Sequence, residues 1–177
     1  MTGTATDGSM SEAADGATGP VERPLASIAE QVEAVDALID RARSQLRVFD
    51  VDGTQWGWQR AERAERLTAF LRRGRGARID MIVHETRWLE QSCPRLLALL
   101  KTWSHAMTVY RTGPEARSAM DPLVVADERH FLHRFHVDGA RAVLVFDAPS
   151  ATRPLIERFD EIRATGEPGL TGTVLGL

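Results

Sequence analysis

Three of the chain's five histidines lie close together between His130 and His136, a stretch that also carries Arg134. Imidazole rings can hold metal ions, move protons or attack phosphorus. In a strand, alternate side chains point to opposite faces, so His130 and His136 would share one face and His133 would lie on the other. This spacing argues against a three-histidine metal centre, and no metal site is predicted.

Two interpretations of this stretch stay open. In the first, the histidines are partly buried and hydrogen-bonded to their neighbours, which the pattern favours for at least two of them. In the second, the forked and permanently charged Arg134 binds a phosphate or carboxylate together with His133 or His136. The second interpretation makes His133, Arg134 and His136 candidate ligand-binding residues.

Acidic and imidazole side chains also follow two short apolar runs. Asp50 and Asp52 follow the first run, and His84 and Glu85 follow the next. Ligands of open α/β sheets bind at the carboxyl ends of strands, so these side chains could meet there for acid–base chemistry or cation binding. Turn residues and helix caps are the favoured alternative. Asp50 and His84 are nevertheless candidate ligand-binding residues.

Hydrophobic periodicity predicts the elements that position these side chains. The stretch from Met120 to Asp138 has the pattern of a strand, a polar turn at Asp127 to Arg129, and a second strand. Elsewhere, helical spacing and short apolar runs alternate, which predicts helices at 25–44, 56–73, 92–105 and 148–162 and strands at 46–49, 78–83, 107–110 and 141–146. The predicted fold class is therefore α/β, with three layers and a mixed sheet that has helices on both faces.

Two local features of these helices are predicted. Ser92 is expected to cap the third helix, with Pro94 in its first turn. Trp56 and Trp58 are expected to begin the second helix, where they cannot share a face, so one of them should be exposed. Trp103 is expected to lie in the core.

The domain boundaries follow from composition. Residues 1–24 are mostly small or polar, with almost nothing large to bury, which predicts a disordered tail. Residues 25–170 are predicted to form one α/β domain. Residues 171–177 are predicted to be a C-terminal tail, and the small and apolar residues from Gly169 onward either add a short edge strand or fray.

Charge and cysteine content bound the function. A formal net charge of -3 and an isoelectric point near 6.0 give no overall basic field, so nucleic acid is not an expected partner. The single cysteine, Cys93, cannot form an internal disulfide, which favours a reduced, cytoplasmic location. The sequence has no apolar run of membrane-spanning length and no secretory pattern in its first residues. It also has no phosphate-cradling glycine loop, zinc knuckle or nucleophile elbow, so no cofactor is predicted.

The order of elements resembles one half of a phospholipase D-like domain. The resemblance runs from about residue 25 to residue 165 and consists largely of apolar pattern. The matching segments are Leu46–Phe49, Ile79–Val83, Pro94–Leu97, Leu123–Asp127 and Phe159–Ile162. The chain more closely resembles the uncharacterised phospholipase D-like domains that bacteria carry alone or downstream of GNAT acetyltransferase modules. This implies an acetyltransferase as a partner, and the paired halves of active family members imply a homodimer.

The catalytic motif of that family is incomplete in this chain. The family has His-x-Lys, a short apolar run and an Asp, in which the histidine is the nucleophile and the lysine holds phosphate. The apolar run and Asp127 are present, but Met120 and Pro122 stand at the histidine and lysine positions. The residues from His133 to His136 stand where the family has Gly-Ser-x-Asn.

The resemblance therefore implies a binding or regulatory domain without catalytic activity. Its ligand would be a phosphate-bearing or anionic group, or a protein partner, recognised through the edge that contains His133 and Arg134. The alternative is a divergent phosphodiester hydrolase or transferase that uses His133 and its neighbours. No catalytic residue is assigned from the sequence.

Overall fold

Short, largely buried strands form the centre of the molecule. The computed structural model describes residues 19–74 and 76–171, and eight of their segments pair in one mixed sheet in the order β1-β7-β6-β5-β2-β3-β4-β8. Strands β2, β3 and β4 are parallel, whereas the remaining neighbours pair antiparallel. The strands are β1 (Val21–Leu25), β2 (Gln45–Asp50), β3 (Arg78–Val83), β4 (Met107–Arg111), β5 (Leu123–Ala126), β6 (His130–Arg134), β7 (Ala142–Phe146) and β8 (Glu167–Leu170).

Helices cover both faces of this sheet. They are α1 (Ile28–Arg41), α2 (Ala61–Arg73), α3 (Arg87–Ser92), α4 (Pro94–Thr102) and α5 (Pro149–Ala164). The first four contribute to one hydrophobic core, while α5 packs Phe159 and Ile162 into a second core on the other face. The predicted three-layer α/β fold with a mixed sheet is confirmed.

The segment before α2 is a buried turn and not the start of a helix. Gly53 and Gly57 adopt positive φ angles of 77° and 74°, which glycine tolerates because it has no Cβ. The turn lays Trp56 and Trp58 against the core, where they are 1% and 2% exposed. The indole N–H of Trp56 donates to Gln31 Oε1 at 2.9 Å. The expectation that one of these tryptophans is exposed was therefore wrong. The positive-φ glycines keep this segment out of the helix, which begins only at Ala61.

Two further helix predictions differ from the structure. Ser92 does not cap the third long helix: it is the last residue of α3, and Cys93 occupies the N-cap of α4 without a side-chain hydrogen bond. Trp103 ends α4 and is only partly buried. The apolar pattern located this region, but it did not resolve two short helices that meet at Cys93.

Proline-containing strands lie at both edges of the sheet. Val21–Leu25 pairs antiparallel with β7, so the last part of the predicted N-terminal tail is a strand; residues 1–18 lie outside the described residues. At the other edge β8 pairs with β4, and residues 172–177 lie outside the described residues. Pro24 and Pro168 lack a backbone N–H, which makes both edges poor templates for adding another strand.

The turn between β5 and β6 is held by the carboxylate of Asp127. Asp127 and Glu128 have positive φ angles of 52° and 60°, as a tight hairpin turn requires. The Asp127 carboxylate accepts hydrogen bonds from the backbone N–H groups of Arg43, Ser44 and Gln45 at 2.6, 2.8 and 2.9 Å, and from the Ser44 hydroxyl. One side chain thus joins the hairpin to the loop that leads into β2.

Replacing Asp127 with alanine should destabilise the protein by about 2 kcal/mol, because three backbone donors lose their acceptor. Asp127→Asn should cost less, since asparagine tolerates a positive φ and keeps one oxygen. Urea unfolding measures both, with Asp138→Ala at an 88% exposed side chain as the control. An Asp127→Ala effect no larger than that of the control would contradict this role.

Candidate functional site

The predicted site residues lie near the carboxyl ends of strands β2, β3 and β6, but they do not form one site. Strands β2 and β3 end on this side of the sheet with Asp50 and Val83, and β6 ends there with Arg134. The segment before β5 enters from the same side, since Pro122 O accepts the N–H of Arg134 at 2.9 Å. The helical layers on the two faces then separate the side chains that these strand ends bring together.

Strand alternation places His133 and Arg134 on opposite faces. Phe131, two residues before His133, belongs to the core beneath α5, whereas Leu132, two residues before Arg134, belongs to the core beneath α1 to α4. The structure therefore does not bring His133 and Arg134 to one ligand. His130 lies at the far end of β6, where its Nδ1 accepts the backbone N–H of Asp147 at 3.0 Å.

Arg134 serves the interior of the protein. It is 3% exposed, and its Nε donates to Gly139 O at 2.6 Å. Its Nη1 donates to Gln55 Oε1 at 2.7 Å, and its Nη2 donates to Val137 O. The guanidinium thus holds the turn between β6 and β7 against the buried turn that precedes α2.

His84 is likewise engaged on both ring nitrogens. Nδ1 lies 2.7 Å from Thr112 Oγ1, and Nε2 lies 2.7 Å from Ala119 O. Because a carbonyl only accepts, Nε2 carries the proton and Nδ1 can accept from the threonine hydroxyl. Burial lowers the pKa of His84, which favours this neutral form. His84 joins the ends of β3 and β4 to the segment before β5.

Asp50 is a buried acid beside Arg134. Its Oδ1 accepts the N–H of Val51 at 2.8 Å. Its Oδ2 and the indole Nε1 of Trp58 are both buried without a hydrogen-bond partner among the described residues. Burial raises the pKa of Asp50 to about 7, although the Val51 N–H and the Arg134 charge act in the opposite direction.

His133 faces a different environment, an open groove of about 470 Å³ between the hairpin and α5. We call it the His133 groove. His136 also reaches it, but Arg134, Asp50 and His84 do not. It is lined by Ser118, Met120, Asp121, His133, Phe135, His136 and Arg158.

The charged centre of the His133 groove is Asp121. Its Oδ1 accepts from Arg158 Nη2 at 3.0 Å, and its Oδ2 lies 3.7 Å from His133 Nε2. Burial raises the pKa of Asp121, but the neighbouring His133 and Arg158 outweigh that effect and lower the pKa to about 2. Asp121 is therefore ionised at neutral pH and orients both side chains.

Sequence reasoning missed Asp121 and Arg158. They are 37 residues apart and meet only because α5 packs across the sheet. Phe135, also in the groove, is 53% exposed, and its ring lies edge-on to His133 with centroids 5.6 Å apart. In the sequence Phe135 stands only as part of a strand pattern, so its exposure beside this polar cluster could not be predicted.

The residues that the resemblance compared with the family motif lie at the two ends of β5. Met120 lines the His133 groove and Pro122 is buried. Asp127 lies beyond the other end of β5, in the turn described above. Its role as an acceptor for backbone N–H groups does not depend on a histidine or lysine at the opposite end.

The part of the chain that the structure describes contains neither a metal cluster nor a membrane span. Across residues 19–74 and 76–171, no three His, Cys, Asp or Glu side chains are placed to hold a metal ion together. In the same ranges no helix has the length and apolar character that crossing a bilayer requires.

The buried Asp50 should make stability depend on pH. Its folded-state pKa of about 7 lies above the usual aspartic acid pKa of 3.8, so the folded state binds the proton more tightly than the unfolded state. The resulting stabilisation is complete below about pH 4 and is lost as the pH rises through 7. Asp50→Asn should remove this dependence and leave the variant more stable than wild type at pH 8, by about 2–4 kcal/mol. Urea unfolding at several pH values between 5 and 8 measures the free energy of unfolding of both proteins. The same dependence of this free energy on pH in wild type and Asp50→Asn would contradict the assignment.

The fold is shared with solved structures of the phospholipase D family and with one DNA-binding protein. An archaeal chromatin protein with a novel mode of DNA binding, TrmBL2, has a TM-score of 0.62 at 10% identity, over 83% of this chain and 53% of its own, so this chain spans about half its length. The phospholipase D family member Nuc from Salmonella typhimurium has a TM-score of 0.62 at 13% identity, over 84% of this chain and 97% of its own. NucT from Helicobacter pylori has a TM-score of 0.55 at 12% identity, over 85% and 99% of the two chains.

At these identities the similarity shows the phospholipase D-like fold alone. No curated protein sequence matches the chain. A family model matches residues 27–170, which covers the whole sheet except β1. The chain therefore belongs to the family described as a domain of unknown function, DUF7931.

Proposed function

We propose that this protein is a phospholipase D-like binding domain without catalytic activity, which recognises an anionic group through the His133 groove. The observation that carries the proposal is the composition of this groove. It presents the guanidinium of Arg158 and the exposed ring of Phe135, while Met120 stands at the position of the family's nucleophile.

The residues at the positions of the family motif supply neither a nucleophile nor a cation. A methionine thioether cannot replace an imidazole in attack on phosphorus, and Pro122 has no charge to hold phosphate. His133 Nε2 is buried and faces Asp121, so this nitrogen has no open path to a ligand. In-line attack on phosphorus requires an open path from the attacking nitrogen to the ligand. His133 therefore supports binding better than catalysis.

Arg158 is suited to hold the anion. One of its nitrogens binds Asp121, and its side chain is 41% exposed, so further donors of the planar fork face the groove. The contact with Asp121 fixes the guanidinium before a ligand arrives, which lowers the entropy cost of binding. Met120 and Phe135 offer apolar surface beside it, so the preferred ligand joins an anionic group to an apolar or aromatic one.

The alternative function is a divergent phosphodiester hydrolase or transferase. One observation favours it: Asp121 lies 3.7 Å from His133 Nε2, an arrangement in which a carboxylate could orient a histidine for acid–base work. The burial of that nitrogen argues against it. A homodimer, an acetyltransferase partner, a regulatory role and a cytoplasmic location stay predictions.

Phenyl phosphate should bind the wild-type protein, and Arg158→Ala should weaken that binding about tenfold, because a charge-assisted hydrogen bond is lost. Phe135→Ala should weaken phenyl phosphate but leave the weaker binding of inorganic phosphate unchanged. Isothermal titration calorimetry measures both. Arg153→Ala, an exposed arginine on the same helix, is the matched control and should have no effect. Equal losses in the Arg158 and Arg153 variants would refute the groove as the site.

A generic phosphodiester such as bis(4-nitrophenyl) phosphate should not be turned over by the wild-type protein, with or without a divalent metal ion. The release of nitrophenolate, followed by absorbance, tests this directly. His133→Ala should give the same background rate as wild type and as His105→Ala, an exposed histidine outside the groove. Metal-independent turnover that disappears only in His133→Ala would overturn the binding-only function.

A further inference from the structure

A second polar cleft lies at the other end of the central strands, away from the His133 groove. It is formed by the end of α1, the loop into β2, the turn between β5 and β6, and the residue after β7, and it measures about 610 Å³. This volume is within the range of small-molecule sites. Four arginines line it: Arg41, Arg43, Arg73 and Arg129. We call it the arginine cleft.

We propose that the arginine cleft binds an anion that carries several phosphate groups. Arginine suits this role because its planar fork matches the oxygens of a phosphate and stays charged at any physiological pH. Clustered guanidinium groups repel one another, so an anion that bridges them is favoured. The proposal concerns residues separate from Arg158 and His133 and does not depend on the function of that groove.

Each arginine keeps donors for a ligand. The guanidinium of Arg43 has no partner among residues 19–74 and 76–171. Arg41 stacks on the ring of Phe146, 4.2 Å from its centroid, which supports the group through its face and leaves the in-plane N–H groups for an acceptor. Arg73 uses only Nη1, toward the carbonyls of Asp40 and Ala42 at the end of α1.

The carboxylates of the cleft are already engaged. Asp127 accepts three backbone N–H groups and a hydroxyl, and these contacts outweigh burial and lower its pKa. Asp40 pairs with Arg66, and Asp147 Oδ1 pairs with Arg129 Nη2 at 3.0 Å. Arg66 lies outside the cleft, whereas the pair of Asp147 and Arg129 cancels within it. The four arginines still outnumber the three carboxylates of the lining, so the cleft keeps an excess of positive charge that a ligand can use.

His130 adds no positive charge to the arginine cleft at neutral pH. Its Nδ1 accepts the N–H of Asp147, and burial lowers its pKa while the nearby Asp147 carboxylate raises it. Arg129 and Arg41 also face the ring and disfavour its charge. The imidazole is therefore neutral at pH 7, so binding should not change steeply between pH 7 and 8.

The test is calorimetric titration of the full chain with inorganic tripolyphosphate at low salt. Arg43→Ala/Arg129→Ala should weaken binding at least about tenfold, since two guanidinium–phosphate contacts are lost. Arg95→Ala/Arg153→Ala removes the same charge from exposed positions elsewhere and should leave the affinity within about twofold of wild type. Arg43→Lys should keep part of the affinity, because it retains the charge but not the fork.

Two results would overturn the proposal: no binding by the wild type, or equal weakening in the two double variants. Thermal unfolding of each variant checks that the fold is intact, and Arg43→Ala alone removes no contact within the described residues. A parallel titration with short single-stranded DNA distinguishes the source of the phosphates. Tighter binding of DNA with the same dependence on Arg43 would assign the phosphates to a nucleic acid, and tighter binding of tripolyphosphate would assign them to a small molecule.

Discussion

The alternation of side chains along β6 is the constraint on which the functional organisation of this protein depends. Because β6 is an inner strand covered by helices on both faces, each of its side chains must enter one core or the other. Arg134 enters the side of α1 to α4, and His133 enters the side of α5. One strand thus supplies a structural cation to the interior and a polar residue to an open groove.

The polar side chains at the carboxyl ends of the strands are used mainly to join loops to one another. Arg134 and His84 use their polar atoms to join loops, so neither is free to receive a ligand. Asp127 has a structural role, since its carboxylate organises the loop into β2. Of the predicted site residues, His133 and His136 are the two that reach an open groove.

Local pattern predicted most of the fold. The run Arg78–Val83 is a strand at the predicted bounds, because a continuous apolar segment flanked by glycines and polar residues has few other solutions. Pattern failed where tertiary contacts decide: the turn at Trp56 and Trp58 depends on Gln31, and β1 forms only because β7 offers an edge. These partners are distant in sequence and leave no local periodic signal.

The candidate site was predictable in part. Strand alternation predicted His133 on the opposite face from His130 and also separates His133 from Arg134, so that division follows from the sequence. The same rule was wrong for His136, because β6 ends at Arg134 and His136 lines the groove together with His133. The pairing of Asp121 with Arg158 does not, because it requires the placement of α5 on the sheet.

The most direct test of binding without catalysis is a crystal structure of the protein soaked with phenyl phosphate. The account predicts the intact ligand in the His133 groove, with its phosphate on Arg158 and its ring against Phe135. A covalent bond between phosphorus and His133, or a ligand bound elsewhere while the groove stays empty, would contradict it.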